Sequence, residues 1–211
     1  MIEITHLPVR HGNVPLRFAR GHFATNHSHI NYYIDITYPK ARLSEAQAVA
    51  KHLAQGIINS TLVDTILCLD GTTVIGTCLA DELTKSGIRS INTHNTIYVV
   101  EPEYNSNSQM IFRDNIKPMI KGKNVLVLMA SMTTGYTAKR SIEAISYYGG
   151  YVAGCAAVYS AVENTGGFPV ASVYTLSDLE GYQSFDSHDC PYCKQGVPID
   201  ALVNSFGYSE L

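Results

Sequence analysis

The chain has 211 residues, 45% of them hydrophobic and 16% charged, which suits one α/β domain with a sizeable core and leaves too little for two. A net charge of −3 and a pI near 6.2 give no electrostatic footprint for nucleic acid or an anionic membrane surface, so neither is expected as a partner. The opening segment has no apolar run or small-residue cleavage site, no later run approaches the roughly 20 apolar residues of a membrane span, and five cysteines suit a reducing compartment; a cytoplasmic protein is expected.

Taken in order, Asn31–Thr37 is rich in aromatic and β-branched residues and predicts a strand. Ser44 to Gln47 offers a capping box, and Ala46, Val49, Ala50, Leu53 and Ile57 follow at helical spacing. Val63–Leu69 is a short apolar run suited to a strand buried on both faces. The loop Asp70–Thr73 leads into a helix through about Lys85, closed by Gly87. A strand near Thr96–Val100 precedes a polar segment, and Val125–Met129 is another buried strand. Thr133–Gly135 then opens a helix with Ala138, Ile142 and Ile145 on one face, ended by Gly149 and Gly150, before strands at Tyr151–Ser160 and Val170–Thr175. Strands alternating with helices over short loops predict a doubly wound, mainly parallel sheet flanked by helices. Ligands of such sheets bind beyond the carboxyl ends of the strands, which here directs attention to Asp70–Thr73 and Ser131–Thr137.

The stretch from Lys123 to Thr137 carries the most chemistry. A buried strand delivers hydroxyls and one glycine to the start of a helix, where unpaired N–H groups and the positive end of the helix dipole face outward. Thr133, Thr134 and Thr137 add hydroxyl donors, and Gly135 lets the backbone close around a phosphate. An ordinary strand–turn–helix with threonines as caps has the same letters.

This run resembles the phosphoribosyl-pyrophosphate (PRPP) signature of the type I phosphoribosyltransferases, an apolar strand, two acids, two small residues and Thr-Thr-Gly-x-Thr. The resemblance places 5′-phosphate binding on Ser131, Thr133, Thr134, Gly135, Tyr136 and Thr137. The acidic pair that holds the ribose hydroxyls in that family is replaced here by Met129 and Ala130, which can neither accept a hydrogen bond from a hydroxyl nor offset positive charge. Thr25–Asp35 is similar to the N-terminal segment of the orotate phosphoribosyltransferases, which covers the base as a hood and carries proline where Asn31 stands here. His29, Tyr32 and Tyr33 become candidate base contacts, with His27 beside them. Asp70, Gly71 and Thr72 stand where the family places its pyrophosphate loop. Overall the resemblance covers roughly residues 20 to 160 and implies a hood over 1–40, an α/β core over 41–175 and a tail over 176–211. It also implies Mg²⁺, small-molecule substrates (PRPP, a base, a nucleotide monophosphate) and a homodimer.

The family's basic pair and lysine-bearing lid are absent. Glu101 and Glu103 occupy that region, Tyr104–Gln109 is a polar lid candidate, and Arg113 and Lys117 are the nearest cations. Near the C-terminus, Cys190-Pro-Tyr-Cys193 has zinc-ligand spacing for two thiolates, with His188 close by and His22, His27 and His29 at the far end of the chain. A tight turn packing two small side chains fits the same residues, and related enzymes carry a similar tail.

These observations lead first to transfer of a phosphoribosyl group from PRPP to a nitrogenous base, orotate by default, in nucleotide synthesis. A second reading is a non-catalytic nucleotide- or phosphate-binding regulator on the same fold. A third keeps the reaction and replaces the lost acids by Asp70, Ser131 or Asp114. No residue is assigned as the catalytic group.

Overall fold

A computed structural model describes residues 2–7, 14–26, 28–57, 60–85, 91–93 and 96–211; His27 and Gly87 lie outside the described residues. The elements are β1 (Thr5–His6), β2 (Arg17–Ala24), β3 (Ser28–Asp35), α1 (Thr37–Ala41), α2 (Leu43–Ile57), β4 (Thr65–Cys68), α3 (Thr73–Thr84) and β5 (Tyr98–Val100). They continue with β6 (Glu103–Tyr104), β7 (Met110–Ile111), β8 (Asn124–Met132), α4 (Tyr136–Tyr147), β9 (Tyr151–Ser160), β10 (Asn164–Thr165) and β11 (Phe168–Thr175). The last segment gives β12 (Ser184–Asp186), α5 (Pro191–Lys194), β13 (Ala201–Asn204) and β14 (Gly207–Glu210).

The central sheet runs β10-β11-β9-β8-β4-β5, parallel throughout except for the β10–β11 edge pair, which is the doubly wound, mainly parallel sheet expected. Because β4 and β8 are sandwiched between layers, they read as unbroken apolar runs. On one face α2 and α3 pack through Val49, Leu53, Ile75 and Leu79; on the other, α4 packs through Ala138 and Ile145. The apolar spacing of α2 thus faces inward as expected, but the capping box does not form. Helix α2 starts at Leu43, directly after α1, and Glu45 is drawn into the core by Arg17.

Gly149 adopts the left-handed φ of +78° that ends α4, and Gly150 follows for a different reason. A Cβ at Gly150 would lie 2.8 Å from the Ile120 carbonyl oxygen and 2.8 Å from Ile145 Cγ2. Gly150→Ala is therefore expected to destabilise the fold by about 1–3 kcal/mol through overpacking, read as a lower urea midpoint at unchanged slope.

The second sheet runs β12-β3-β2-β13-β14 with β1 at the side of β2. The hood segment supplies its centre and the tail its flanks, so the two ends of the chain build one wall. One extra residue in β2 between Arg20 and Phe23 breaks the register with β3, a bulge at Gly21–His22. The second sheet is fastened to helix α2 by a buried ion pair, in which both Arg17 Nη atoms donate to Glu45 at 2.8 and 2.9 Å.

Candidate functional site

The parallel strands β4 and β8 end at one edge of the core, and the second sheet covers that edge. Between them lies a cavity of about 290 Å³. Its core side includes Asp70 and Met129 to Ser131; its hood side includes Tyr32, Tyr33 and Lys40; the β13–β14 turn at Asn204, Ser205 and Gly207 closes it. A wider opening of about 750 Å³ shares Asp70, Tyr136 and Thr137 with it and extends beneath the β6–β7 hairpin.

Thr133, Thr134, Tyr136 and Thr137 line the cavity at the N-terminus of α4, with Ser131 at the end of β8. Gly135 caps the helix at φ +74°, where a Cβ would meet Thr165 Oγ1 at 2.8 Å, so this position requires glycine for both conformation and space. The loop therefore turns tightly and offers its first helical N–H groups and three threonine hydroxyls to one region. That arrangement suits a phosphate dianion.

Met129 and Ala130, 4% and 6% exposed, line the same cavity. Among the described residues lining it, Asp70 is the one carboxylate and Lys40 the one cation. Asp70 sits at a left-handed φ of +57°, uncommon for a residue with a side chain, followed by Gly71 at +74°. Burial raises the Asp70 pKa above the ordinary aspartate value, while the Lys40 charge and the Ala130 N–H oppose the rise. Burial likewise lowers the Lys40 pKa against the pull of Asp70 and Asp35. The Lys40 ammonium donates to the Asp70 carbonyl at 3.1 Å and to the Ser205 carbonyl. Thr72 is fully buried, and its hydroxyl donates to the Leu69 and Leu128 carbonyls at 2.7 and 3.2 Å. It locks the loop, which leaves Asp70 at the cavity wall and Gly71 exposed beside it.

The hood residues divide. Tyr32 and Tyr33 reach the cavity; Tyr32 anchors its hydroxyl on the Glu180 carbonyl at 2.7 Å, and burial pushes the Tyr33 phenol up to about 12, so it stays a neutral donor. His29 corrects the expectation of a base contact. It is buried in a different cluster, with Nδ1 3.0 Å from His22 Nε2 and 3.3 Å from Cys193 Sγ. The cations expected near the phosphate are also placed elsewhere: Arg113 is paired with Glu103, and Lys117 with the exposed Asp114 at 2.7 Å. Asp114 therefore does not replace the lost acids. Tyr104–Gln109 spans the last residue of β6 and the turn of the β6–β7 hairpin, whose Ser108 carbonyl accepts from Arg140 Nη2 at 2.9 Å. Lys40 and Arg140 were not singled out from the sequence. Lys40 follows a proline on a five-residue helix, and only the fold brings it to Asp70.

Cys190 and Cys193 are joined by both histidines. His22 Nε2 lies 3.5 and 3.6 Å from the two sulfurs, and the four ligand atoms all fall within 4.8 Å of one another. The turn of two small side chains is thus only part of the arrangement, and His188 is not in the cluster.

No family model matches the sequence. The chain is 31% identical over 84 residues to an orotate phosphoribosyltransferase of Caldicellulosiruptor bescii, covering 37% of this chain and 40% of that protein. It is 37% identical over 90 residues to an orotate phosphoribosyltransferase of Thermotoga maritima, covering 40% and 43%. The chain thus spans about two fifths of the length of the curated relatives it matches. Among solved structures, orotate phosphoribosyltransferase from Aeropyrum pernix is similar with a TM-score of 0.55 at 20% identity, covering 76% of this chain and 89% of that one. Adenine phosphoribosyltransferase from Thermoanaerobacter pseudethanolicus is similar with a TM-score of 0.50 at 16% identity, covering 69% and 88%. The architecture is that of the type I phosphoribosyltransferases, and the sequence is most like the orotate members.

Proposed function

We propose that the cavity binds PRPP and the nucleotide formed from it, and that the chain transfers the phosphoribosyl group to a nitrogenous base, orotate by default. The observation that carries this reading is the Ser131–Thr137 loop, which turns into the N-terminus of α4 inside a covered cavity. In the reaction a base nitrogen forms a bond to C1 of the ribose as the C1–oxygen bond to pyrophosphate breaks, and the pair of electrons leaves with pyrophosphate. The threonine loop would hold the 5′-phosphate, and Tyr32 and Tyr33 would wall the base side. Catalysis of this kind draws on positioning and on excluding water more than on a general base.

Magnesium belongs to the same reading. Asp70 and the Ser131 and Thr133 hydroxyls form an all-oxygen set with one carboxylate, which fits an ion carried in on pyrophosphate oxygens better than a dedicated cage. When bound, the ion would offset charge on the departing pyrophosphate. Homodimerisation and a cytoplasmic location complete the reading and rest on the family resemblance. No helix among the described residues is long and apolar enough to cross a membrane.

Met129 and Ala130 favour one competing reading, a nucleotide-binding regulator without turnover, because an apolar floor gives the ribose hydroxyls nothing to bind. Calorimetric titration separates the two. Mg²⁺-dependent PRPP binding followed by orotidylate formation is expected for the transferase; orotidylate binding with no Mg²⁺-dependent PRPP binding would replace it by the regulator. In either case Thr134→Ala with Thr137→Ala is expected to weaken orotidylate binding by about 1–3 kcal/mol. Unchanged affinity in that double variant sinks the phosphate-loop assignment.

A further inference from the structure

At the bulge in β2, His22 is buried against the tail, its ring nitrogen on the Val197 and Pro198 carbonyls, and it lines neither the cavity nor the wider opening beside it. Gly21 makes the bulge possible, since a Cβ there would lie 2.5 Å from Asp200 Oδ2 and 2.9 Å from the Phe23 ring. Asp200 Oδ2 accepts from the His22 backbone N–H at 2.8 Å, and Tyr192 packs its ring 5.3 Å from the His22 ring. His22 is therefore held from several sides. It meets His29 of β3, Cys190 just before α5 and Cys193 within it.

We propose that His22, His29, Cys190 and Cys193 form a structural Zn²⁺ site that fastens the tail to the hood. Zinc bonds of about 2.0–2.1 Å to nitrogen and 2.3 Å to sulfur, arranged tetrahedrally, separate two nitrogens by about 3.3 Å and a nitrogen from a sulfur by about 3.6 Å. The two nitrogens here are 3.0 Å apart, and three nitrogen–sulfur separations are 3.3, 3.5 and 3.6 Å.

Proton accounting points the same way. His22 Nδ1 lies 3.0 and 3.1 Å from the Val197 and Pro198 carbonyl oxygens, which can only accept, so Nδ1 carries the proton. Nε2 is then a single lone pair facing His29 Nδ1 and both sulfurs. That one lone pair can accept from at most one of these three neighbours, whereas a cation at the centre takes a lone pair from each of four ligands. A backbone carbonyl on the far ring nitrogen is also the usual support of a metal-bound histidine. Two thiolates and two imidazoles select zinc over magnesium, and four protein ligands leave no open position for catalysis. Three ligands are buried and Cys193 is exposed, so the ion has an entry path.

The site has a consequence for the cleft. The tail leaves Cys193 through Gly196, at φ +74°, and continues into β13 and β14, whose turn forms one wall of the cavity and accepts from Lys40 at Ser205. Zinc would hold that wall in place from outside.

The test is elemental analysis of the full chain purified under reducing conditions from zinc-supplemented medium. One zinc per chain is expected, and Co²⁺ in its place should show tetrahedral d–d bands with thiolate-to-metal charge transfer. Removing zinc with a chelator should lower the thermal midpoint by roughly 10 °C or more, restored by adding Zn²⁺. Cys190→Ser with Cys193→Ser should lose the metal; if that variant does not fold, stoichiometric zinc release on thiol modification of the natural chain reads the same bonds. A folded, reduced natural chain that holds no zinc and does not respond to chelator overturns the proposal. These readouts need neither PRPP nor orotate, so they stand or fall apart from the transferase reading.

Discussion

Arg17→Ala is expected to destabilise the protein by about 3 kcal/mol, the lower end of the cost of breaking a buried ion pair, because the exposed Arg42, 3.6 Å from Glu45, remains as a weaker partner. Arg17 and Glu45 are 8% and 7% exposed, joined by two parallel hydrogen bonds, and the guanidinium lies 4.3 Å from the Tyr38 ring centre. The Glu45 hydrogen bond raises the Arg17 pKa against the burial that lowers it, so the guanidinium stays charged. Glu45→Ala should cost a similar amount. The pair Arg17→Met with Glu45→Leu should recover most of the loss, because no unpaired charge then remains. Urea denaturation of the four proteins makes the comparison. Single variants costing under about 1 kcal/mol would show that water reaches the pair and screens it. The pair joins β2 to α2, so the same variants should also loosen the hood over the phosphate loop. Weaker orotidylate binding with the loop residues intact is the expected sign.

How far the sequence could be read depended on the range of the forces involved. The strand Tyr151–Ser160 and the inward face of α2 follow from local apolar pattern, and the structure places them where expected. The Ser131–Thr137 loop was equally legible as a tight strand–turn–helix, because that turn is built from consecutive residues, and the structure places it at the cavity. The capping box at Ser44 does not form because α2 already starts at Leu43, which puts Ser44 inside the first turn, while Glu45 turns inward to Arg17, 28 positions away. β13 and β14 are four-residue strands, and β13 is placed by pairing with β2 near the other end of the chain. His29 is the sharpest case. Its neighbours Tyr32 and Tyr33 face the cavity, while a bulge in the adjacent strand brings His22 to it and the tail brings two sulfurs. Cys-x-x-Cys and two histidines seven apart were the available signal; their meeting is a property of the fold.

Asp70→Asn is expected to raise stability while removing Mg²⁺-dependent PRPP binding. The Asp70 pKa is raised in the folded protein, chiefly by burial, so folding favours its protonated form. The stabilising contribution of that protonated form is complete below the ordinary aspartate value and lost as the pH climbs through the raised folded value. At pH 7 the ionised carboxylate is therefore a net burden, despite Lys40, and asparagine removes it. Asparagine also tolerates φ +57°, so the backbone should not object. The urea midpoint at pH 7 should rise, with the gain shrinking toward zero as the pH is lowered past the ordinary aspartate range. A fall at pH 7 would mean that the Lys40 attraction outweighs desolvation. Binding should move the other way, because Asp70 is the one carboxylate lining the cavity among the described residues. PRPP affinity in Mg²⁺ should drop roughly tenfold or more, since the ion would lose its only charged protein ligand. Orotidylate affinity should hold, because the threonine loop is untouched. If PRPP affinity in Mg²⁺ also holds, the ion takes its ligands from elsewhere and Asp70 serves the loop's shape instead. A carboxylate kept half-buried, left-handed and beside a lysine at a cost in stability is the kind of strain that function retains.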